Sequence, residues 1–175
     1  TDVKVPVENR IGEENKGWGY AKGLLAHERT GLAGISRSIV ALENLKKQAG
    51  SVKRGNGSLM DEPTFKLKIA ELEADLMAVE YTELRSLANA ASGKEPGPES
   101  SILKLKGTEI QQRLQRLTME AGGIYSSAWG MSNVGPSFAR SGMSGYLSSR
   151  AFTIYGGASE VQKDVVAKNV LGLKK

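Results

Sequence analysis

From residue 18 to about residue 49, Leu25, Leu32, Ile35, Ile39, Leu42 and Leu45 recur at spacings near three and four, with polar and charged residues between them. That period predicts one long amphipathic helix with a single buried stripe. Residues 50–57, with Gly50, Gly55 and Gly57 around Lys53 and Arg54, then read as a loop. Pro63, just after Asp61-Glu62, suits the first turn of a new helix, where its missing N–H costs no helical bond. Phe65, Ile69, Leu72, Leu76, Val79 and Leu87 form the stripe of that second helix. Gly93, Pro96, Gly97 and Pro98 break the pattern, and a third helix is predicted from about residue 99 to 121, ending at Gly122-Gly123. Residues 124–141 show no period and carry Trp129 among glycine, proline and asparagine breakers, a length that points to a functional segment. A short helix over about 142–150 and a last one over 159–171, capped by Ser159 and stopped by Gly172, complete the chain. At the other end Val3-Lys4-Val5-Pro6-Val7 alternates like an edge strand, and residues 9–15 read as turn and linker.

Three long and two short helices with almost no sheet predict an all-α protein, an antiparallel helix bundle with a short N-terminal strand and linker remnant. The 175 residues can bury one sizeable core. Cysteine is absent, which excludes disulfides, thiolate metal sites and cysteine nucleophiles, so any redox chemistry needs a cofactor. The 24 basic and 19 acidic residues are interspersed rather than blocked. Such a surface is solvated and mixed, and nucleic acid is not the expected partner. No apolar run reaches membrane-spanning length, and Thr1-Asp2-Val3-Lys4 shows no leader pattern, so the expectation is a cytoplasmic protein without membrane insertion. The absence of an initiator Met favours a piece of a longer chain.

The chemistry concentrates in the tail. The run Phe152-Thr153-Ile154-Tyr155 breaks at Gly156-Gly157 just before a helix, and such a turn offers backbone N–H groups and the positive end of a helix dipole to an anion or a developing oxyanion. His27 is the single histidine, so zinc, haem and Ser-His-Asp chemistry are not expected, and no metal site is predicted. Gly17-Trp18-Gly19 follows no parallel strand and is no dinucleotide fingerprint. Trp18, Trp129 and Tyr155 read as core or domain-interface aromatics.

The tail, from Phe152 through Tyr155-Gly156-Gly157-Ala158-Ser159-Glu160 to Leu171-Gly172-Leu173, resembles the C-terminal signature of the acyl-CoA dehydrogenases, flavin enzymes that desaturate acyl-CoA thioesters between the α and β carbons. The likeness extends over the chain in order. Val5-Pro6-Val7-Glu8-Asn9 and Ile11-Gly12-Glu13-Glu14-Asn15-Lys16-Gly17-Trp18 resemble the passage where that family's middle β-domain hands over to its C-terminal bundle. Glu28-Arg29-Thr30-Gly31 is similar to the start of the first long bundle helix, and Lys104-Leu105-Lys106-Gly107-Thr108-Glu109 to the third. The resemblance implies a C-terminal third of an enzyme, with residues 1–15 the remnant of the β-domain and linker and residues 16–175 the bundle. It implies FAD as cofactor, an acyl-CoA substrate, an electron-transfer flavoprotein-type acceptor, and a homo- or hetero-oligomer in which a neighbouring bundle holds the adenine end of FAD. The Glu-Arg-Thr-Gly wording and residues 122–141 look most like the large subunit of pimeloyl-CoA-type heteromeric members. The piece alone is expected to be inactive. An oxidase of the same fold, and a non-catalytic helical assembly or anion-binding module, are the other readings.

The resemblance also implies roles. Many members carry the base that removes the α-proton immediately after the tyrosine, where this chain has Gly156; a second branch carries it in a Glu-Arg pair on the first long helix, matched here by Glu28-Arg29. By itself Glu28 would be an ordinary surface carboxylate; with the match it is the catalytic base. Gly156 either donates its main-chain N–H to the thioester carbonyl or serves only the turn, while Tyr155 and Gly157 line the substrate. Arg29 either orients substrate or flavin or anchors the helix through an ion pair, the second being preferred. Ala158 and Glu160 occupy positions that touch the flavin and its nucleotide; Ala158 departs from the commoner threonine, and Glu160 either holds a ribose or complements the helix N-terminus. Lys53 or, in preference, Arg54 supplies the charge for the FAD pyrophosphate. Two departures stand out: Pro63 lies where a nucleotide-binding glutamine is expected, and Gly122-Gly123 matches the second nucleotide-binding stretch imperfectly.

Overall fold

The computed structural model describes residues 1–93, 97–128 and 134–173, without the side chains of residues 25–27, 29 and 30. Among the described residues it contains six α-helices: α1 (Gly17–Ala33), α2 (Ile35–Ser51), α3 (Pro63–Ala91), α4 (Glu99–Gly122), α5 (Gly142–Ser148) and α6 (Ser159–Asn169). Two-residue strands β1 (Lys53–Arg54) and β2 (Gly57–Ser58) pair antiparallel, Lys53 opposite Ser58, in the connection between α2 and α3. The all-α bundle is as expected, with four long helices rather than three.

The additional helix comes from a break that the periodicity does not show. Residues 18–49 form not one helix but two, because Gly34 enters the left-handed region (φ +60°), closing α1 and opening α2. Its carbonyl accepts from both the backbone N–H and Oγ of Ser38, each at 2.9 Å. The end of α1 receives replacement bonds from α4, where Gln111 Nε2 donates to Leu32 O at 3.0 Å and to Ala33 O at 2.9 Å. The hydrophobic stripe runs straight through the break, since Ile35, Leu42 and Leu45 are buried with Ala33.

Pro63 opens α3 as its residue type dictates. Ahead of it Ser58 and Asp61 form a capping box, Asp61 Oδ2 accepting from Ser58 N and Oγ, both at 2.8 Å. Those bonds favour the charged carboxylate and hold Asp61 below its ordinary pKa. The stripe Phe65, Ile69, Leu72, Leu76 and Val79 is buried as predicted, but Leu87 is half exposed, because the C-terminal half of α3 outruns the bundle core. α2, α3 and α4 alternate in direction: Lys46 of α2 meets Glu73 of α3 at 2.7 Å, Lys68 of α3 meets Glu120 of α4 at 2.7 Å, and Asp75 pairs with Arg113. α4 lies at the centre, with Leu103, Ile110, Leu114, Leu117 and Ala121 in the same core as the stripes of α2 and α3.

The expected strand near residue 5 does not form; residues 1–6 are irregular and Val7–Asn9 makes a 3-10 turn, since an isolated strand has no partner for its ladder bonds. Trp18 is 73% exposed and so is not a core residue. Trp129 lies outside the described residues. The segment after α4 is largely 3-10 in its described parts, Gly123–Ser127 and Ser137–Ala139. The last helix ends at Asn169, two residues before the predicted bound, with Gly172 left-handed beyond it.

Candidate functional site

The tail turn is built from inside. After the 3-10 turn Ser149–Thr153, Ile154 and Tyr155 donate their N–H groups to Ala151 O at 2.9 and 3.0 Å, and the chain reverses through Gly156 (φ +64°) and Gly157 (φ +93°). α6 follows. Its N-cap is Ala158 rather than Ser159: Ala158 is extended and its carbonyl accepts from Gln162 N at 3.0 Å, whereas Ser159 is already helical and turns its Oγ back to Thr153 O at 3.4 Å. Under the turn lie two fully buried polar side chains, Lys104 of α4 and Gln162 of α6. Lys104 Nζ donates to Gly157 O at 2.8 Å, and Gln162 Nε2 approaches Gly156 O at 3.5 Å.

A side chain at either glycine would have to displace a neighbour. A Cβ on Gly156 would lie 2.0 Å from Leu32 Cδ1, and one on Gly157 would lie 2.2 Å from Gln162 Nε2. Leu32 thereby ties α1 to the turn. Glu28 precedes Leu32 by one helical turn on the same face of α1 and is exposed. α1 holds that position because Gly107 lets its backbone come close: a Cβ there would sit 2.4 Å from Ala33 O. The side chain of Arg29 lies outside the described residues. Tyr155 is 44% exposed and stacks at a tilt on Phe152, ring centroids 5.7 Å apart, so it borders the corner from the surface and not from the core. Glu160 is exposed in the first turn of α6.

At the other end of α4 a second feature forms. Arg54, Gly122, Gly123, Tyr125, Pro136 and Phe138 are among the residues lining a groove of about 430 Å³. Arg54 keeps its Nε 3.4 Å from Glu62 Oε1 and is about half exposed. Arg54 and Gly122-Gly123, separated widely in sequence, are thus brought together, whereas Ala158 and Glu160 stay with the tail turn. The two places are about 27 Å apart, taking 1.5 Å per residue along α4 from Lys104 to Gly122. Pro63, as first residue of α3, uses its position for helix initiation.

Sequence reasoning passed over Lys104, Gln162 and Gln111 as functional candidates. One signal for Lys104 was available: it sits in the small and apolar register of Ser100, Leu103, Gly107 and Thr108, the side of α4 that becomes buried.

A bundle of this architecture, with the end of its first helix set against a glycine corner before the last one, defines a class. Residues 15–171 match the acyl-CoA dehydrogenase C-terminal domain family, and the chain belongs to that flavin-dependent family. Among particular relatives, it is 29% identical to the acyl-CoA dehydrogenase FadE26 of Mycobacterium tuberculosis over 99% of this chain and 44% of that protein. It is 28% identical to the CarC subunit of the caffeyl-CoA reductase-Etf complex of Acetobacterium woodii, over 97% of this chain and 43% of the relative. Among solved structures, the ChsE4-ChsE5 complex from Mycobacterium tuberculosis superposes with a TM-score of 0.81 at 30% identity, covering 100% of this chain and 45% of the other. The chain therefore spans less than half the length of these relatives. No helix among the described residues is long and apolar enough to cross a membrane.

Proposed function

We propose that this chain is the C-terminal bundle, residues 16–175 with residues 1–15 as the end of a preceding β-domain, of an FAD-dependent acyl-CoA dehydrogenase whose catalytic base is Glu28. The observation that carries this reading is the interlock of Leu32 with Gly156. Leu32 Cδ1 occupies the space of a Gly156 Cβ, at the corner where the resemblance puts the base of many family members, and Glu28 lies one turn before that leucine on α1. One carboxylate position is filled sterically while the other is presented.

Glu28 takes the α-proton of the acyl thioester, and the electron pair of that C–H bond becomes the second bond between the α and β carbons as the β-hydrogen departs as hydride. Bound FAD supplies the acceptor for that hydride at N5. Main-chain N–H groups of the tail turn hold the thioester carbonyl as charge develops on it. Arg54 with Gly122-Gly123 suits the pyrophosphate and adenosine of FAD, since a guanidinium and a side-chain-free stretch of backbone border one groove that also offers Tyr125 as a flat apolar wall. The separation of this groove from the tail turn favours a cofactor whose two ends are held by different subunits. An exposed apolar stripe on α3, Met77, Tyr81, Leu84 and Leu87, each more than half exposed, supports assembly through the bundle, with either a second copy or a paired subunit. An electron-transfer flavoprotein-type acceptor is the expected oxidant.

Anaerobic titration of the full-length, FAD-loaded enzyme with a panel of straight-chain, branched and ring-bearing acyl-CoAs tests the reading. At least one should bleach the flavin, and Glu28→Gln should keep FAD while slowing bleaching by about 10²–10⁴-fold. Undiminished bleaching in Glu28→Gln would remove Glu28 from the role. Repeating the titration in air separates a dehydrogenase, whose reduced flavin persists, from an oxidase.

A further inference from the structure

A lysine ammonium is seldom placed wholly inside a helix bundle, because its desolvation is costly unless hydrogen bonds compensate. Lys104 is 0% exposed, and its Nζ holds Gly157 O at 2.8 Å. Gln162, also 0% exposed, has its Nε2 at 3.5 Å from Gly156 O. Two side chains from α4 and α6 thus hold the carbonyls of consecutive residues from the buried side.

The peptide bonds among the described residues are all trans, and in a trans peptide the C=O and the following N–H point in opposite directions. Holding Gly156 O inward therefore turns Gly157 N–H away from the core, and holding Gly157 O inward turns Ala158 N–H away. Neither N–H has a hydrogen-bond partner among the described residues. An ammonium on the Gly157 carbonyl also polarises that peptide unit, which makes its N–H a better donor. Glycine at 157 suits its left-handed backbone (φ +93°), and a Cβ there would displace the Gln162 amide from the turn.

We propose that Lys104, assisted by Gln162, is a positioning residue: by pinning both carbonyls it fixes the turn that carries the Gly156, Gly157 and Ala158 N–H groups, so that Gly156 N–H, the donor read from the sequence, is held toward the thioester carbonyl, and it touches no reacting atom. The proposal rests on the acyl-CoA reading above. Its effect belongs to the transition state, where charge on that carbonyl is greatest, and so to kcat more than to KM.

The test uses the full-length, FAD-loaded enzyme carrying Lys104→Met, which keeps the stem and removes the ammonium, and Gln162→Met, with Lys106→Met on the exposed side of α4 as control. Three readings are made: backbone hydrogen exchange over residues 153–161, kcat and KM with whichever acyl-CoA of the panel bleaches the flavin fastest, and the infrared stretch of the matching 2-enoyl-CoA labelled with carbon-13 at its thioester carbonyl. Lys104→Met should exchange faster at the turn and lose about 10–100-fold in kcat with KM held within about threefold. The labelled carbonyl should move back toward its position in water while the 2-enoyl-CoA stays bound. Gln162→Met should follow in the same direction with smaller changes, and the control should do neither. An unchanged kcat and carbonyl stretch in a Lys104→Met enzyme that retains FAD overturns the proposal, even if exchange quickens, because Lys104 is then a packing residue only. Should Lys104→Met not fold, Gln162→Met decides by the same readings. If no acyl-CoA reduces the unmodified enzyme, the acyl-CoA reading fails on its own, and the exchange measurement decides the clamp: unaltered exchange in both variants disproves it.

Discussion

Gly156 is constrained twice, by a left-handed backbone (φ +64°) and by Leu32 Cδ1 in the space of its Cβ. Gly156→Ala should therefore cost about 1–2 kcal/mol for the backbone and about 1–3 kcal/mol for the overlap. Urea denaturation of Gly156→Ala beside the double variant Gly156→Ala/Leu32→Ala separates the two: the double should show favourable coupling from relief of the overlap and retain the backbone penalty. Additive losses would show that Leu32 does not occupy that space. The sequence displayed the glycine where the resemblance implies a glutamate in many family members, but what fills the space of its Cβ is a leucine far away in the chain, on another helix. Lys104 makes the reverse case, a residue whose type argues for the surface and whose place is the interior. Its pairing with Gly157 O spans most of a third of the chain, and no local pattern encodes such a contact.

Among elements, α1 shows what local periodicity leaves open. The apolar positions from Leu32 to Leu45 keep helical spacing through Gly34, because a stripe records which side is buried and not whether the backbone is continuous. The break is sustained by α4, through Gln111 on the last α1 carbonyls and Gly107 against the Ala33 backbone. Gly107→Ala, a substitution that would stabilise an isolated helix by about 1 kcal/mol, should destabilise this one by a net of about 1–3 kcal/mol, since the neighbour it meets is main chain and cannot rotate away. The expected readout is a lowered denaturation midpoint together with weaker Glu28-dependent flavin reduction, as α1 shifts. A raised midpoint would mean that the two helices do not rely on this close approach. Pro63, by contrast, was legible at once, because its effect depends only on its own ring and the turn it occupies.

At the scale of the whole molecule one uncovered apolar side among the described residues is the exposed stripe Met77, Tyr81, Leu84 and Leu87 on α3. The buried apolar stripe of the same helix ends at Val79; beyond it α3 meets the start of α4 and the end of α6 through Arg85 and Asn89, while Tyr81, Leu84 and Leu87 stay exposed. A Leu84→Lys substitution in the full-length enzyme should lower the oligomeric state seen by light scattering, by placing an unpaired charge in the contact. An unaltered mass would move the interface elsewhere. The all-α class, the breaks at residues 50–57 and 92–98 and the long helices α3 and α4 were readable because each rests on interactions between near neighbours: the helical repeat, the fixed φ of proline, the freedom of glycine. The family was readable too, because its wording lies in contiguous runs. What only the tertiary structure decided are the relations between runs: that Leu32 fills the Gly156 corner, that Lys104 and Gln162 hold the turn from beneath, and that Arg54 and Gly122-Gly123 border one groove. Those are matters of packing between distant segments, and a one-dimensional pattern carries no distance between them.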